Sequence, residues 1–212
     1  MTDDTMPEEP ARPKAFLHRV KGLVLFASLF YLTFYVPMSL TFYSSGWMKL
    51  NCRWHERCEM IGVDNAYRGM DELAAYFRHQ GGLDSFRTKK EKLHLEEVRG
   101  MFDKMLAAGA AAAVLLALTF DRRRASRCAL INIAIILSLL LVLPFFGTFW
   151  KDVFHPLLFK NNLWMNNRFD LSFYLMPRDF FKHTVALLVF STAAVNAVIW
   201  LGSRPRRAKP AR

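Results

Sequence analysis

Four apolar segments decide what this chain can become. Gly22 to Tyr43, Met105 to Phe120, Cys128 to Trp150 and Thr184 to Leu201 each approach the roughly 20 residues an α-helix needs to cross about 30 Å of hydrocarbon. They predict four transmembrane helices, at about 22–43, 101–120, 128–150 and 184–201. The second run is short on strict count, so its helix is expected to start in the polar sequence upstream. The first is expected to stay in place as a signal anchor. Its apolar stretch exceeds the roughly 7 to 15 residues of a signal-peptide core, and PMSLTFYSSGW after it offers no small-x-small cleavage site.

Charge gives these helices a direction. Of 212 residues 53% are hydrophobic, yet the formal charge is +11. The basic residues gather in three clusters: Arg12, Lys14, Arg19 and Lys21; Arg122, Arg123, Arg124 and Arg127; Arg204, Arg206, Arg207, Lys209 and Arg212. Four crossings put all three on one side, which the positive-inside rule makes the cytoplasm. An anionic leaflet accounts for that charge, so no nucleic-acid partner is expected. The outer segments are then 44–100 and 151–183. The expected fold is an all-α polytopic membrane protein, four transmembrane helices under an extracytoplasmic helical cap, in one domain of residues 19–203. A disordered cytoplasmic tail is expected at 1–18 and a basic cytoplasmic tail at 204–212.

Cys52 and Cys58 lie in the first outer segment, where they can close a small disulfide loop or remain two free thiols. A thiol oxidoreductase needs a CxxC that is absent. DNAYRGMDELAAYFRHQGG predicts an amphipathic cap helix, with Ala66, Tyr67, Met70, Leu73, Ala74 and Phe77 on one face and Gly81 and Gly82 ending it. A second helical pattern begins near Thr88 and runs without proline into the second apolar run.

That pattern contains EKLHLEEVRG, a histidine among acids two to three turns above the hydrocarbon. Of the six histidines, His18 reads as a solvated cytoplasmic flank, His55 and His79 as cap surface, and His183 as an interfacial anchor. His94 and His155 remain, one from each outer segment and both near the membrane boundary. Glu97 stands three residues after His94 and can orient its imidazole, or form a surface pair worth only a few tenths of a kcal/mol. Asp152 has the same spacing to His155, and Pro156 is expected to end the helix there. HLEEV lacks the HExxH spacing of a zinc site, and no GxSxG elbow or glycine-rich phosphate loop occurs. No metal or cofactor is expected. The transmembrane runs carry almost no ionisable residues beyond Asp103 and Lys104, which weakens a transporter reading. Two readings stay open on these grounds: acid and base chemistry on a lipid-borne substrate, or a non-enzymatic membrane module that binds a lipid or protein through its cap.

The order of apolar segments, HLEEV before the second helix, and FHPLLFKNNLWM with LMPRDFF before the fourth resemble the lipoprotein intramolecular transacylases (Lit). The specific part is His94 with the acid after it and Val98, then Phe154, His155, Trp164 and Pro177 to Phe181. The family pattern prefers Asp where Glu97 stands and an acid where Arg178 stands, and the cysteine pair is not a hallmark. The resemblance implies a substrate class, bacterial lipoproteins bearing a diacylglyceryl group on the N-terminal cysteine, in a bacterial cytoplasmic membrane. The sn-2 acyl chain would move to the α-amino group of the same cysteine, giving the lyso form. On that expectation His94 is the principal base and His155 its partner in acid catalysis or oxyanion stabilisation, with the reverse assignment open. Glu97 would orient His94, and Asn161, Asn162 or Trp164 would donate to the oxyanion.

Overall fold

The computed structural model describes residues 12–204, all helix and loop with no strand among them. The expectations for the tails at 1–11 and 205–212 lie outside the described residues. Helix α1 (Arg12–Phe42) leads to three short cap helices, α2 (Gly46–Cys52), α3 (Arg57–Met60) and α4 (Val63–Phe77). Helix α5 (Lys89–Thr119) returns through the bundle, and α6 (Arg122–Ser138) follows after a two-residue turn. Beyond α6 the same apolar rod runs on as a 3₁₀ stretch (Leu139–Phe145), α7 (Phe146–Thr148), a π-helical turn (Phe149–Phe154) and α8 (His155–Leu158). A loop, α9 (Leu171–Leu175) and α10 (Arg178–Ser203) complete the fold. Four spans, Ala15–Phe42, Lys89–Thr119, Arg122–Leu158 and Arg178–Ser203, are long and apolar enough to cross a membrane.

Local chemistry explains where the elements begin. Thr88 caps α5, its hydroxyl accepting the Glu91 amide while the Glu91 carboxylate accepts the Thr88 amide, so the helix starts about four turns before the apolar run at Met105. Asp121 caps α6 through the Arg124 amide at 2.8 Å. Helix α4 ends at Phe77, earlier than Gly81 suggested. His79 takes a left-handed φ of 59°, and the Gln80 amide turns back to the Ala75 carbonyl, so the glycines follow a turn already made.

The bundle packs α6 along α10 and α1 along α5, with α1 also meeting α6 and α10. Leu106, Val114, Leu115 and Leu118 of α5 face outward, as lipid-facing positions should. Inside, the Asn132 amide donates to Asn196 at 3.2 Å, and Asn196 donates to Thr33 at 3.0 Å. That relay ties α6, α10 and α1 together through fully buried polar groups. The close approach of α5 to α1 needs Gly109, since a Cβ there would stand 3.1 Å from the Tyr35 ring.

The cap has its own apolar core around Met48, Met70, Leu73, Phe77 and Phe86, continuous with Phe102 of α5. A disulfide joins Cys52 to Cys58 across the turn between α2 and α3, with Cα atoms 5.8 Å apart. The loop before α9 is bolted to the start of α5 by two buried carboxylates. Glu91 accepts from the Arg87 and Thr88 amides and from the Ser172 amide and hydroxyl, all within 3.0 to 3.2 Å. Asp170 accepts from the Thr88 hydroxyl at 2.5 Å, the Asn167 amide at 2.7 Å and the Lys90 ammonium at 3.0 Å. Burial alone would raise the Asp170 carboxyl, but those three donors outweigh it and hold the group below the ordinary aspartate value.

Candidate active site

The bolt at Glu91 sets the rotation of α5, and one turn later His94 points toward the end of the rod that carries His155. The two rings lie 6.4 Å apart between centroids, so two side chains 61 residues apart in sequence face one volume. His94 packs edge-on against Phe159 at 4.8 Å, and His155 stacks on Trp164 at 4.2 Å. His155 is buried, while His94 keeps 13% of its side chain exposed.

The chain does not leave the helix at His155, contrary to the sequence expectation. Pro156 has no amide hydrogen and its ring crowds the carbonyl four residues back, so a continued α-helix would be broken there. The π turn from Phe149 to Phe154 absorbs the misfit, and helix resumes for His155–Leu158 before Phe159 turns extended. The widened turn brings the Trp150 carbonyl to the imidazole, with His155 Nδ1 at 2.8 Å. A carbonyl only accepts, so Nδ1 carries the hydrogen and Nε2 of the neutral ring carries the lone pair. Asp152 therefore does not orient His155. It is exposed on the wider turn, and the backbone has its role.

Glu97 does face His94, its Oε2 lying 3.7 Å from Nδ1, an approach too long for a hydrogen bond. Asn161 donates its amide to the other oxygen of Glu97 at 2.6 Å and accepts the Leu163 amide at 3.0 Å. Asn161 thus holds the Glu97 carboxylate with one of its two amide hydrogens. Asn162 is exposed, and Trp164 offers its face to His155. Of the remaining histidines, His79 meets Asp103 at 2.9 Å, His183 meets the buried Asn51 at 3.2 Å, and the His18 carbonyl accepts from Arg124 at 3.2 Å. Burial, helped by the nearby Arg57 cation and opposed by Asp179, pushes the His55 imidazole below its ordinary value, which keeps it neutral within the cap.

The histidine pair opens into a chamber of about 730 Å³ that descends between α1, α5 and α10, with Phe34, Met38, Met105 and Leu188 along its depth. Its size and apolar walls suit acyl chains. The charges on its wall are Arg57, Lys151 and Arg178, with no carboxylate among its lining residues. Arg57 is held in place, its guanidinium donating to the Phe173 carbonyl at 2.8 Å and stacked 3.9 Å over the Phe173 ring. Arg178 lies against Gly147, where a Cβ would come within 3.2 Å of its guanidinium. Sequence reasoning missed Trp150, Arg57 and the unpaired cations. The proline after His155 was the one available sign of the first, and Arg57 had none, since its partner comes 116 residues later.

Four membrane-length helices, with a pair of imidazoles at the neck of an apolar chamber, define an integral membrane protein of the polytopic helical class. The sequence model of the lipoprotein intramolecular transacylase Lit matches residues 20–181, and the chain belongs to that family. It is an acyltransferase by that membership, which sets aside the non-enzymatic reading. Its fold is similar to the membrane-integral Lit of Bacillus cereus, at a TM-score of 0.79 and 16% identity over 88% of this chain and 94% of that one. Two forms of the same protein, each with one histidine substituted, give 0.77 at 16% identity (90% and 92% covered) and 0.75 at 17% (90% and 94%). No match to a curated protein sequence stands beside these.

Proposed function

We propose that this enzyme moves the sn-2 acyl chain of a lipoprotein's diacylglyceryl group onto the α-amino group of the same N-terminal cysteine. The observation that carries the reading is the 6.4 Å pairing of His94 and His155 at the neck of the apolar chamber. Acyl chains lie in the chamber and the glyceryl esters stand at the neck, so amine and ester meet within one bound molecule and proximity supplies much of the rate.

The proton inventory is short. The α-ammonium, with an ordinary pKa near 8, must lose a proton before it attacks. Three wall cations and no carboxylate disfavour a further positive charge, so the neutral amine is the form the chamber admits. The nitrogen attacks the ester carbonyl carbon, His94 removes the second ammonium proton that develops, and Glu97 balances the imidazolium. The bond from carbonyl carbon to the sn-2 oxygen then breaks, and that oxygen receives a proton. His155 Nε2, set by the Trp150 carbonyl, is the partner nitrogen that carries hydrogen to the oxyanion or leaving oxygen once protonated. One N–H and one ester C–O bond are exchanged for one amide bond and one O–H.

Both termini are assigned to the cytoplasm and the histidine pair to the outer leaflet. Arg122, Arg123 and Arg124 at the α5–α6 turn, the opposite end of α5 from His94, support that orientation. The test is mass spectrometry of one lipoprotein's N-terminal peptide from cells with and without this chain. The acyl chain should move to nitrogen at unchanged total mass. An unaltered fragment pattern in cells that accumulate the protein rejects the proposal.

A further inference from the structure

Beside the chamber lies a second hollow of about 490 Å³, and the two share Lys151, Phe159, Trp164 and Met165 as a common wall. That wall is the one the catalytic rings touch: Trp164 stacks on His155 at 4.2 Å, and Phe159 meets His94 at 4.8 Å. The chemistry changes across it. The chamber side is mostly apolar, whereas the far side adds Lys160, Asn161, Asn162 and Asp152.

A lipoprotein presents three parts at once: acyl chains, a reacting glyceryl-cysteine, and a polypeptide leaving the cysteine carbonyl. The third part cannot enter the chamber, because its amides would lose their hydrogen bonds among apolar side chains. From a cysteine at the neck, the polar hollow is one rim away. It is ligand-sized, within the roughly 300 to 1,000 Å³ of small-molecule clefts.

Resting on the transacylase reading, we infer that this hollow is the subsite for the residues that follow the acylated cysteine, and that it selects acidic ones. Lys151 and Lys160 stand against the single carboxylate of Asp152, and neither lysine has an ion-pair partner among the described residues. Lys160 is exposed at the turn after α8, free to meet a substrate carboxylate. Asn161 is tied to Glu97, so a peptide seated here also presses on the group that faces His94.

The test uses the purified full chain in micelles and three synthetic diacylglyceryl-cysteine peptides, with Asp, Ser or Lys at the two positions after the cysteine. Conversion to the lyso form is read by mass spectrometry. The kcat/KM should rank Asp above Ser above Lys, with a two- to fivefold step as exposed ion pairs allow, and the ranking should flatten at about 0.5 M salt. Lys160→Glu should reverse the order. Equal rates for all three peptides overturn the subsite while leaving the transacylase reading intact. If no peptide is converted, the transacylase reading fails and the subsite with it. The wild-type ranking and its salt dependence decide the matter even if the variant does not accumulate.

Discussion

His155 gives its Nδ1 hydrogen to the Trp150 carbonyl at 2.8 Å, and that single bond decides which ring nitrogen looks into the chamber. In the proposed mechanism the reacting nitrogen is Nε2. His155→Asn keeps a donor near the Nδ1 position and removes Nε2. It should accumulate in the membrane and lose acyl transfer by about 100-fold or more, the usual contribution of a placed acid or base. Near-wild-type conversion in the N-terminal peptide assay would remove Nε2 from the reaction.

Glu97 faces His94 and is itself held by Asn161; in the proposed mechanism it acts through that histidine. Glu97→Gln should lower kcat by roughly tenfold with little change in KM, since it balances charge that develops only during transfer. Asn161→Ala should lower it less. Equal losses in kcat/KM through KM alone would make Glu97 a substrate contact instead.

Glu91 satisfies four donors and has no ion-pair partner among the described residues. Glu91→Ala leaves those donors buried, a loss on the order of 3 kcal/mol. For a chain of this length that lowers Tm by roughly 6 to 12 °C, measurable by thermal unfolding in micelles.

Asp170 carries a sign in pH. Its folded value lies below the ordinary 3.8, so the ionised form favours the folded state. That stability is complete above the unfolded value and is lost as pH falls through the lower, folded one. Asp170→Asn should therefore melt below wild type at neutral pH, with the gap closing as both are taken below about pH 4. A gap that widens in acid would contradict the assignment.

The Asn132–Asn196–Thr33 relay offers a test inside the bundle. Asn196→Leu removes a donor and an acceptor at once and should cost about 1 kcal/mol, the usual worth of hydrogen bonds between membrane helices. A neutral result would leave packing alone to hold α1 against α10.

Much of this was legible in the sequence, for physical reasons that differ by element. Hydrocarbon thickness leaves little freedom, so the four apolar runs declared their helices. A helical pattern beginning near Thr88 was legible, though the capping box with Glu91 that fixes that start came only with the structure, and the two histidines stood out because little else near the boundary can move a proton. The support around them was hidden. Asp152 has textually the right spacing for His155, but spacing assumes 3.6 residues per turn, and Pro156 had altered the turn. Asn161 donates to Glu97, a pairing across 64 residues that no local pattern announces. The tethering of the Trp164 loop by Glu91 and Asp170 is equally non-local.

The wide turn between Phe149 and Phe154 also sets a register. Were its six residues to wind at ordinary α pitch with none removed, everything beyond would turn by about 100°, one residue's worth. The imidazole would then look away from its partner with its chemical identity intact. In this rod the pitch of a single turn matters as much as composition: the same side chains wound more tightly would no longer meet.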